Sequence, residues 1–340
     1  MSQHTFEAIR RPCTDDRALQ KLVMGMWAYP AVLLAHQLGL FSMLDETPRT
    51  PLEVARALGI EPRPGEALLT ESTSLGLLRP EQDRYGLTPM AEDYLLARSP
   101  TYVGPFLDLI IAANPACSFE NVKKAVLTNS PQVSPTSEMY RSPEHARAFY
   151  RGMYGHSIAA ALEWPGHVDL SSSQVLLDIG GGSGVHSIGA ALKWPNLRAV
   201  VFDLPTACAA ADEYVATHGL QQRVQTQAGD MWQDPFPAAD VHLYSLVFPD
   251  WPLEKCRALL RKSFDTLRPG NRMIIHEMLY SDDKAGPLPP AGFSVMMLVL
   301  TSGQFYSGRE LSEMLTDTGF RQVEVKPTFG YWGIVTGRKP

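Results

Sequence analysis

Four acids recur at one kind of position in this chain. Asp178, Asp203, Asp230 and Glu277 each stand at or just past the end of a short run with strand character, VLLDI, AVVFD, VQTQAGD and RMIIHEM. Short apolar runs of this kind suit strands of a parallel sheet covered on both faces. Ligands of such sheets collect at the carboxyl ends of the strands, so the four acids are placed to meet one ligand.

The first acid opens a glycine turn. Gly180, Gly181, Gly182 and Gly184 let the backbone turn sharply after 175–179, and 186–194 reads as the helix that follows. The free N–H groups at such a helix start face the polar part of a ligand. A dinucleotide wants the spacing G-x-G-x-x-G with no acid beside it, because a pyrophosphate is repelled by an adjacent carboxylate. Here the spacing is G-x-G-x-G, and Asp178 stands two residues before the first glycine. That suits a cofactor with positive charge near the loop, such as the ammonium and sulfonium of S-adenosylmethionine, with Asp203 accepting both ribose hydroxyls.

The alternation that positions these groups continues beyond the loop. Helix 207–219, strand 224–228, strand 241–247, helix 253–267 and strand 272–279 follow in order, then a loop over 281–290, helices 293–300 and 308–319, and an antiparallel edge of two strands, 323–327 and 331–336. The fold class is therefore α/β, a Rossmann-like sheet domain over 166–340. A helical linker over 104–165, with a polar loop at 129–143, stands before it and roofs a substrate pocket. On the last linker helix Phe149, Met153 and His156 are the candidates to meet a substrate, facing Met297 and Phe305 from the later segment.

Residues 1–103 read as a mostly helical first domain. Leu22, Met26, Tyr29, Val32, Leu33 and Leu40 lie at helical spacing, which predicts two helices interrupted by Pro30 and closed by Gly39. This stretch is more apolar than one buried face requires, which leaves two readings: a partner chain covers it, or it is buried within its own domain. Helices at 51–58 and 64–75 and a two-stranded wing make a winged-helix pattern. Its second helix, GEALLTESTSLG, has no Lys or Arg for phosphate contacts, which points to a structural or dimerisation module rather than a DNA reader.

The chain of 340 residues is 45% hydrophobic and 19% charged, with a formal net charge of −6, values of an ordinary globular protein without a basic surface for nucleic acid or anionic membrane. Its start, MSQHTFEAIRRPCTDD, lacks the apolar core of a signal peptide, so a cytoplasmic enzyme is expected. Cys13, Cys117, Cys208 and Cys256 are widely spaced, and His and acid residues do not cluster at metal spacing; no metal requirement is expected.

With LLDIGGGSG, VVFDLP, GDMW and PDW joined to LGLFSMLDE and YGLTPMAEDYLL, nearly the whole chain resembles the class I S-adenosylmethionine-dependent methyltransferases, and within them the small-molecule O-methyltransferases of acetylserotonin, caffeate and polyketide type. The resemblance implies that Gly180, Gly182 and Gly184 lie beside the methionyl part of the cofactor and Asp203, with Leu204, at the ribose. It puts Gly229, Asp230 and Met231 at the adenine, Ser245 near the carboxylate, and Trp251 close by. It also implies a homodimer and a role in secondary metabolism.

The chain departs from that family where the chemistry occurs. The family carries His-Asp-Trp after the fourth strand, its His deprotonating the acceptor hydroxyl; this chain reads Pro249-Asp250-Trp251. A second family acid is replaced by Phe305, while Glu277 is kept. Alignment with an activated methyl needs little else from the protein, but a phenol still has to lose its proton. The departure favours a nitrogen, a carbon or an acidic O–H as acceptor, with Glu277, Asp250, His156, His276 or Tyr306 as substitute base. The alternative is the same fold and cofactor turned to pericyclic, decarboxylative or hydroxylating chemistry.

Overall fold

The computed structural model of the chain describes residues 12–133 and 142–340. Most of the polar loop expected at 129–143 lies outside them. Two compact units are present, Met1–Ser99 and Pro100–Pro340, and residues 104–165 fall within the second.

In the first unit, α1 (Arg17–Gln37) and α2 (Leu40–Asp45) precede α3 (Pro51–Leu58), α4 (Pro62–Ser74), the hairpin of β1 (Leu78–Glu81) and β2 (Arg84–Leu87), and α5 (Pro89–Leu95). The expected interruption at Pro30 does not occur; α1 runs through it. Pro30 removes the donor for the carbonyl of Met26, yet both residues are exposed, so water can satisfy that carbonyl. Thr50 and Glu53 close a capping box that fixes the start of α3. Leu40, Phe41, Leu44, Val54, Leu69 and Ala91 are buried in this unit. By contrast α1 buries only Leu33 and Ala35, leaving Leu22, Met26 and Trp27 more than 60% exposed.

The second unit begins with α6 (Gly104–Ala113), α7 (Phe119–Thr128) and α8 (Pro143–Glu163). Then β3 (Val175–Ile179), α9 (Val185–Lys193), β4 (Arg198–Asp203), α10 (Pro205–Thr217), β5 (Val224–Ala228), β6 (Val241–Ser245), α11 (Leu253–Thr266) and β7 (Arg272–Met278) alternate as expected. They are followed by α12 (Leu288–Leu300), α13 (Gly308–Thr318), β8 (Arg321–Pro327) and β9 (Trp332–Arg338). α12 starts inside the segment read as loop, and β6 stops two residues early, where Leu246 turns to φ 53°.

The seven strands lie in the order β5-β4-β3-β6-β7-β9-β8. Five are parallel; β9 inserts antiparallel between β7 and the edge strand β8. The order reverses at β3, flanked by β4 on one side and β6 on the other, which opens a crevice at the carboxyl ends of these strands. Two buried clusters cover the sheet, one including Phe248, Leu259, Leu311 and Phe320, the other including Trp164, Ile188, Val201 and Val215.

Candidate active site

The glycine loop emerges from β3 with Gly180, Gly182 and Gly184 all at positive φ, a conformation other residues adopt only with strain. Gly184 caps α9 and brings that helix against Val201 and Ala211. Gly181 leaves room for Asp178: a Cβ there would stand 2.7 Å from its carboxyl carbon. Asp178 is buried, accepts a hydrogen bond from Ser187 Oγ at 2.8 Å, and has one oxygen, Oδ1, without a partner. Burial pushes its carboxyl up to about 7.

Asp203, at the end of β4, accepts from the backbone N–H of Gly182 at 2.8 Å and of Leu204 at 2.7 Å. The acid at the second strand end thus pins the loop that leaves the first. Each of its oxygens keeps a second lone pair, and the residue is half-buried, so a ligand can still reach it. Asp230 is similarly engaged, accepting from Trp232 N–H at 2.8 Å and Gln233 Nε2 at 2.9 Å. Gly229 has a packing cause: a Cβ would lie 2.4 Å from the Phe202 ring. Met231 packs beside Gly180, and its carbonyl accepts from Lys262. Trp251 meets Trp232 edge-on at 4.7 Å, with the Lys255 ammonium over both rings.

These features fit S-adenosylmethionine. The loop offers backbone N–H groups, the carboxylates flank it, and the unpartnered Oδ1 of Asp178 adds an acceptor for a cationic ligand. A separate cavity of about 560 Å³ on the outer side of α12, lined by Ser294, Val295, Leu298 and Gln304 among others, includes neither the loop nor the acids. The geometry therefore places cofactor chemistry at the strand ends and not there.

Ser245, expected near the cofactor carboxylate, joins a cluster with two histidines that local sequence patterns do not bring together. Ser245 Oγ donates to the His276 carbonyl at 2.9 Å and lies 3.0 Å from His186 Nε2 and 3.2 Å from His276 Nδ1. A hydroxyl has one proton to give, so with that proton on the carbonyl both imidazoles donate to Ser245. His186 Nδ1 is then a bare acceptor, buried and without a partner. Trp332 stacks on His276 at 4.8 Å and approaches His156 at 5.7 Å; His156 in turn meets Phe106 and Phe293. Burial holds His156 down to about 4 and His186 to about 3, so these rings are neutral at ordinary pH.

Of the expected substrate residues, Met297 and Phe305 share one buried cluster with Trp332 and Phe293, and His156 joins it through those rings. Phe149 is placed elsewhere, against Tyr150, Ala207 and Ala210, on the side where Tyr150 lies under Gly182. Met153 is half-buried on α8 between these two groups in sequence.

The turn at Phe248–Asp250 carries the remaining acids. Glu277 points from β7 away from His276, as strand alternation requires, and its Oε1 accepts from Val247 N–H at 3.3 Å. Its Oε2 is buried without a partner. Burial, then the charge of Asp250, drive the Glu277 carboxyl well above the usual range. Asp250 is exposed by surface area yet has many protein atoms around it, and those surroundings push it up to about 7. The water it touches screens part of that shift. Gly303 seals the turn from outside: a Cβ there would lie 2.1 Å from the Pro249 carbonyl.

Comparison with known proteins agrees with this geometry. Residues 120–321 match the O-methyltransferase domain and residues 20–97 the O-methyltransferase dimerisation domain. The chain belongs to the O-methyltransferase family. It is similar to 3-hydroxy-5-methyl-1-naphthoate 3-O-methyltransferase of Streptomyces sahachiroi, 34% identical over 94% of both chains. The tetracenomycin polyketide synthesis 8-O-methyl transferase of Streptomyces glaucescens is 30% identical over 94% of this chain and 96% of its own. Human N-acetylserotonin methyltransferase, solved in complex with S-adenosylmethionine, superposes with a TM-score of 0.83 at 26% identity, covering 97% of this chain and 99% of its own. The chain is thus an S-adenosylmethionine-dependent O-methyltransferase of the small-molecule type. The family narrows the acceptor atom from the oxygen, nitrogen or carbon left open by the sequence to oxygen, and the diverted chemistries find no support among these relatives.

Proposed function

We propose that this O-methyltransferase methylates a phenolic oxygen of a small aromatic secondary metabolite, using a carboxylate where the family has a histidine. The observation that carries the reading is the turn at Pro249-Asp250-Trp251, where Asp250 is exposed and Glu277, bonded to Val247 N–H just before the turn, feels its charge and keeps an unpartnered oxygen. S-adenosylmethionine, when bound, supplies an electrophilic methyl group on a sulfonium. The chain's own residues then hold and orient it: Asp178, Gly180, Gly182 and Gly184 at the methionyl end, Asp203 and Leu204 at the ribose, Gly229, Asp230 and Met231 at the adenine, with Ser245 and Trp251 alongside. Met297, Phe305 and His156 line the acceptor's apolar side, with Met153 next to them and Phe149 nearer the cofactor. Asp250 takes the phenolic proton, and Glu277 tunes Asp250.

The reading includes a homodimer joined through the exposed apolar face of α1, with no nucleic-acid or membrane partner and no metal. It places the enzyme in the cytoplasm, in keeping with four free cysteines. Incubation with methyl-labelled S-adenosylmethionine and a panel of naphthols tests it. A labelled methyl ether supports the reading; cofactor binding without label in any hydroxyl compound removes it.

A further inference from the structure

The turn that follows β5 is held in place by a single lysine. Residues 230–234 close on themselves: the N–H groups of Gln233 and Asp234 donate to the Asp230 carbonyl at 3.1 and 2.8 Å, and Asp234 Oδ2 accepts from Asp230 N–H at 2.8 Å. Gly229 N–H, bonded to the Asp203 carbonyl at 2.9 Å, fixes where the turn begins. Lys262, on α11, fixes where it ends. Its ammonium donates to the Met231 carbonyl at 2.7 Å and to the Asp234 carbonyl at 2.6 Å, and neither carbonyl has another donor among the described residues.

The same ammonium lies 4.2 Å from the centre of the Phe236 ring, which meets edge-on the Phe202 ring packed against Gly229. Lys262 therefore grips the turn directly and, through two rings, supports its floor. Hydrogen bonds from a cation are about twice as strong as neutral ones. Water can satisfy the same two carbonyls, but it does not tie them to α11.

We propose that Lys262 is a positioning residue for the base of the cofactor, holding the turn so that the Asp230 carboxylate meets the adenine edge. The proposal rests on the placement of adenine at Gly229, Asp230 and Met231 given above. Each Asp230 oxygen takes one donor from within the turn, Trp232 N–H or Gln233 Nε2, and keeps a lone pair. A carboxylate only accepts, so a well-held Asp230 takes the amino group of adenine and rejects the oxo group of hypoxanthine.

Calorimetry with S-adenosylhomocysteine and with S-inosylhomocysteine, which differs at that one group, forms the test. The parent is expected to favour the adenine compound by about tenfold or more. In Lys262→Met its affinity should fall by about tenfold while that of the inosine compound changes little, so the preference narrows; kcat at saturating S-adenosylmethionine should fall far less. Lys262→Arg, which keeps the charge and the donors, should recover most of the preference, and it carries the comparison if Lys262→Met does not fold. Equal losses for both compounds, or a kcat loss as large as the affinity loss, would reduce Lys262 to general stability and overturn the proposal. Asp230→Asn separates the two levels. If it leaves the preference of the parent unchanged, the placement of adenine falls and the proposal with it; if it abolishes a preference that Lys262→Met retains, the placement stands and the role of Lys262 falls.

Discussion

The two loops that face the crevice hold their acids in opposite ways. Around the glycine loop, Asp203 and Asp230 are tied by backbone and side-chain donors at 2.7–2.9 Å. At the Phe248–Asp250 turn, Asp250 has no side-chain hydrogen bond among the described residues, and Glu277 meets backbone donors alone, Val247 N–H at 3.3 Å among them. Donors stabilise the ionised form of a carboxylate and fix its position, which suits binding. An unpaired carboxyl among protein atoms is held near the point of gaining or losing a proton, which suits proton transfer. Asp178 stands between the two cases, with Ser187 on one oxygen and nothing on the other.

The sharpest way to break this contrast is to remove the charge at the turn. Asp250→Asn is expected to lower kcat by about 10²–10⁴-fold, the usual worth of a positioned base, while cofactor affinity by calorimetry stays near that of the parent. The pH profile gives a second readout. A base works ionised, and Asp250 is pushed up towards 7, so activity should rise with pH through a midpoint at or somewhat below 7. In Asp250→Asn that limb should vanish; a limb that persists assigns the proton to another group.

The complementary change lies in the paired loop. Asp203→Asn removes the charge and disturbs the bonds to Gly182 and Leu204, and cofactor affinity should fall by something on the order of 10²-fold. At saturating cofactor, kcat should change much less. Equal losses in both constants would mean that the two loops do not divide binding from proton transfer.

What the sequence revealed of this division follows from how local each signal is. The strand runs, the glycine turn and the acids at strand ends are patterns within a few residues, and they placed the crevice and the sheet alternation. The wall of Ser245, His186 and His276 joins residues 59 and 31 positions apart, and no local pattern announces it. The same distance in sequence hid the packing of Gly229 on the Phe202 ring and the separation of Phe149 from Met297 and Phe305. Pro30 misled for another reason: its cost depends on whether water can reach the carbonyl it leaves unbonded, which a sequence does not display.

Buried histidines allow a milder test, because no acid is placed to hold a proton on them. His186 of the wall, and His242, which faces the other way from β6 and bonds Ser263 Oγ at 3.0 Å, are each depressed to about 3. An unfolded histidine titrates near 6.5, so the unfolded chain binds protons first as pH falls. The stability these groups contribute is complete above about 6.5 and is lost progressively towards about 3. Thermal midpoints should drop steeply over that window, and His242→Gln should flatten the drop without touching the pH limb of activity.

The smallest expected effect is the most informative about the turn. Pro249→His places an imidazole where the family resemblance leads one to expect it. If Asp250 and Glu277 carry the proton chemistry, the added imidazole is redundant, and kcat should stay within about an order of magnitude of the parent. Its placement is also hampered, since Gly303 packs directly on the Pro249 carbonyl and Pro249 itself is buried. A gain of about 10²-fold or more would show that the chain works without an effective base, and that the acids at the turn serve to hold the acceptor alone.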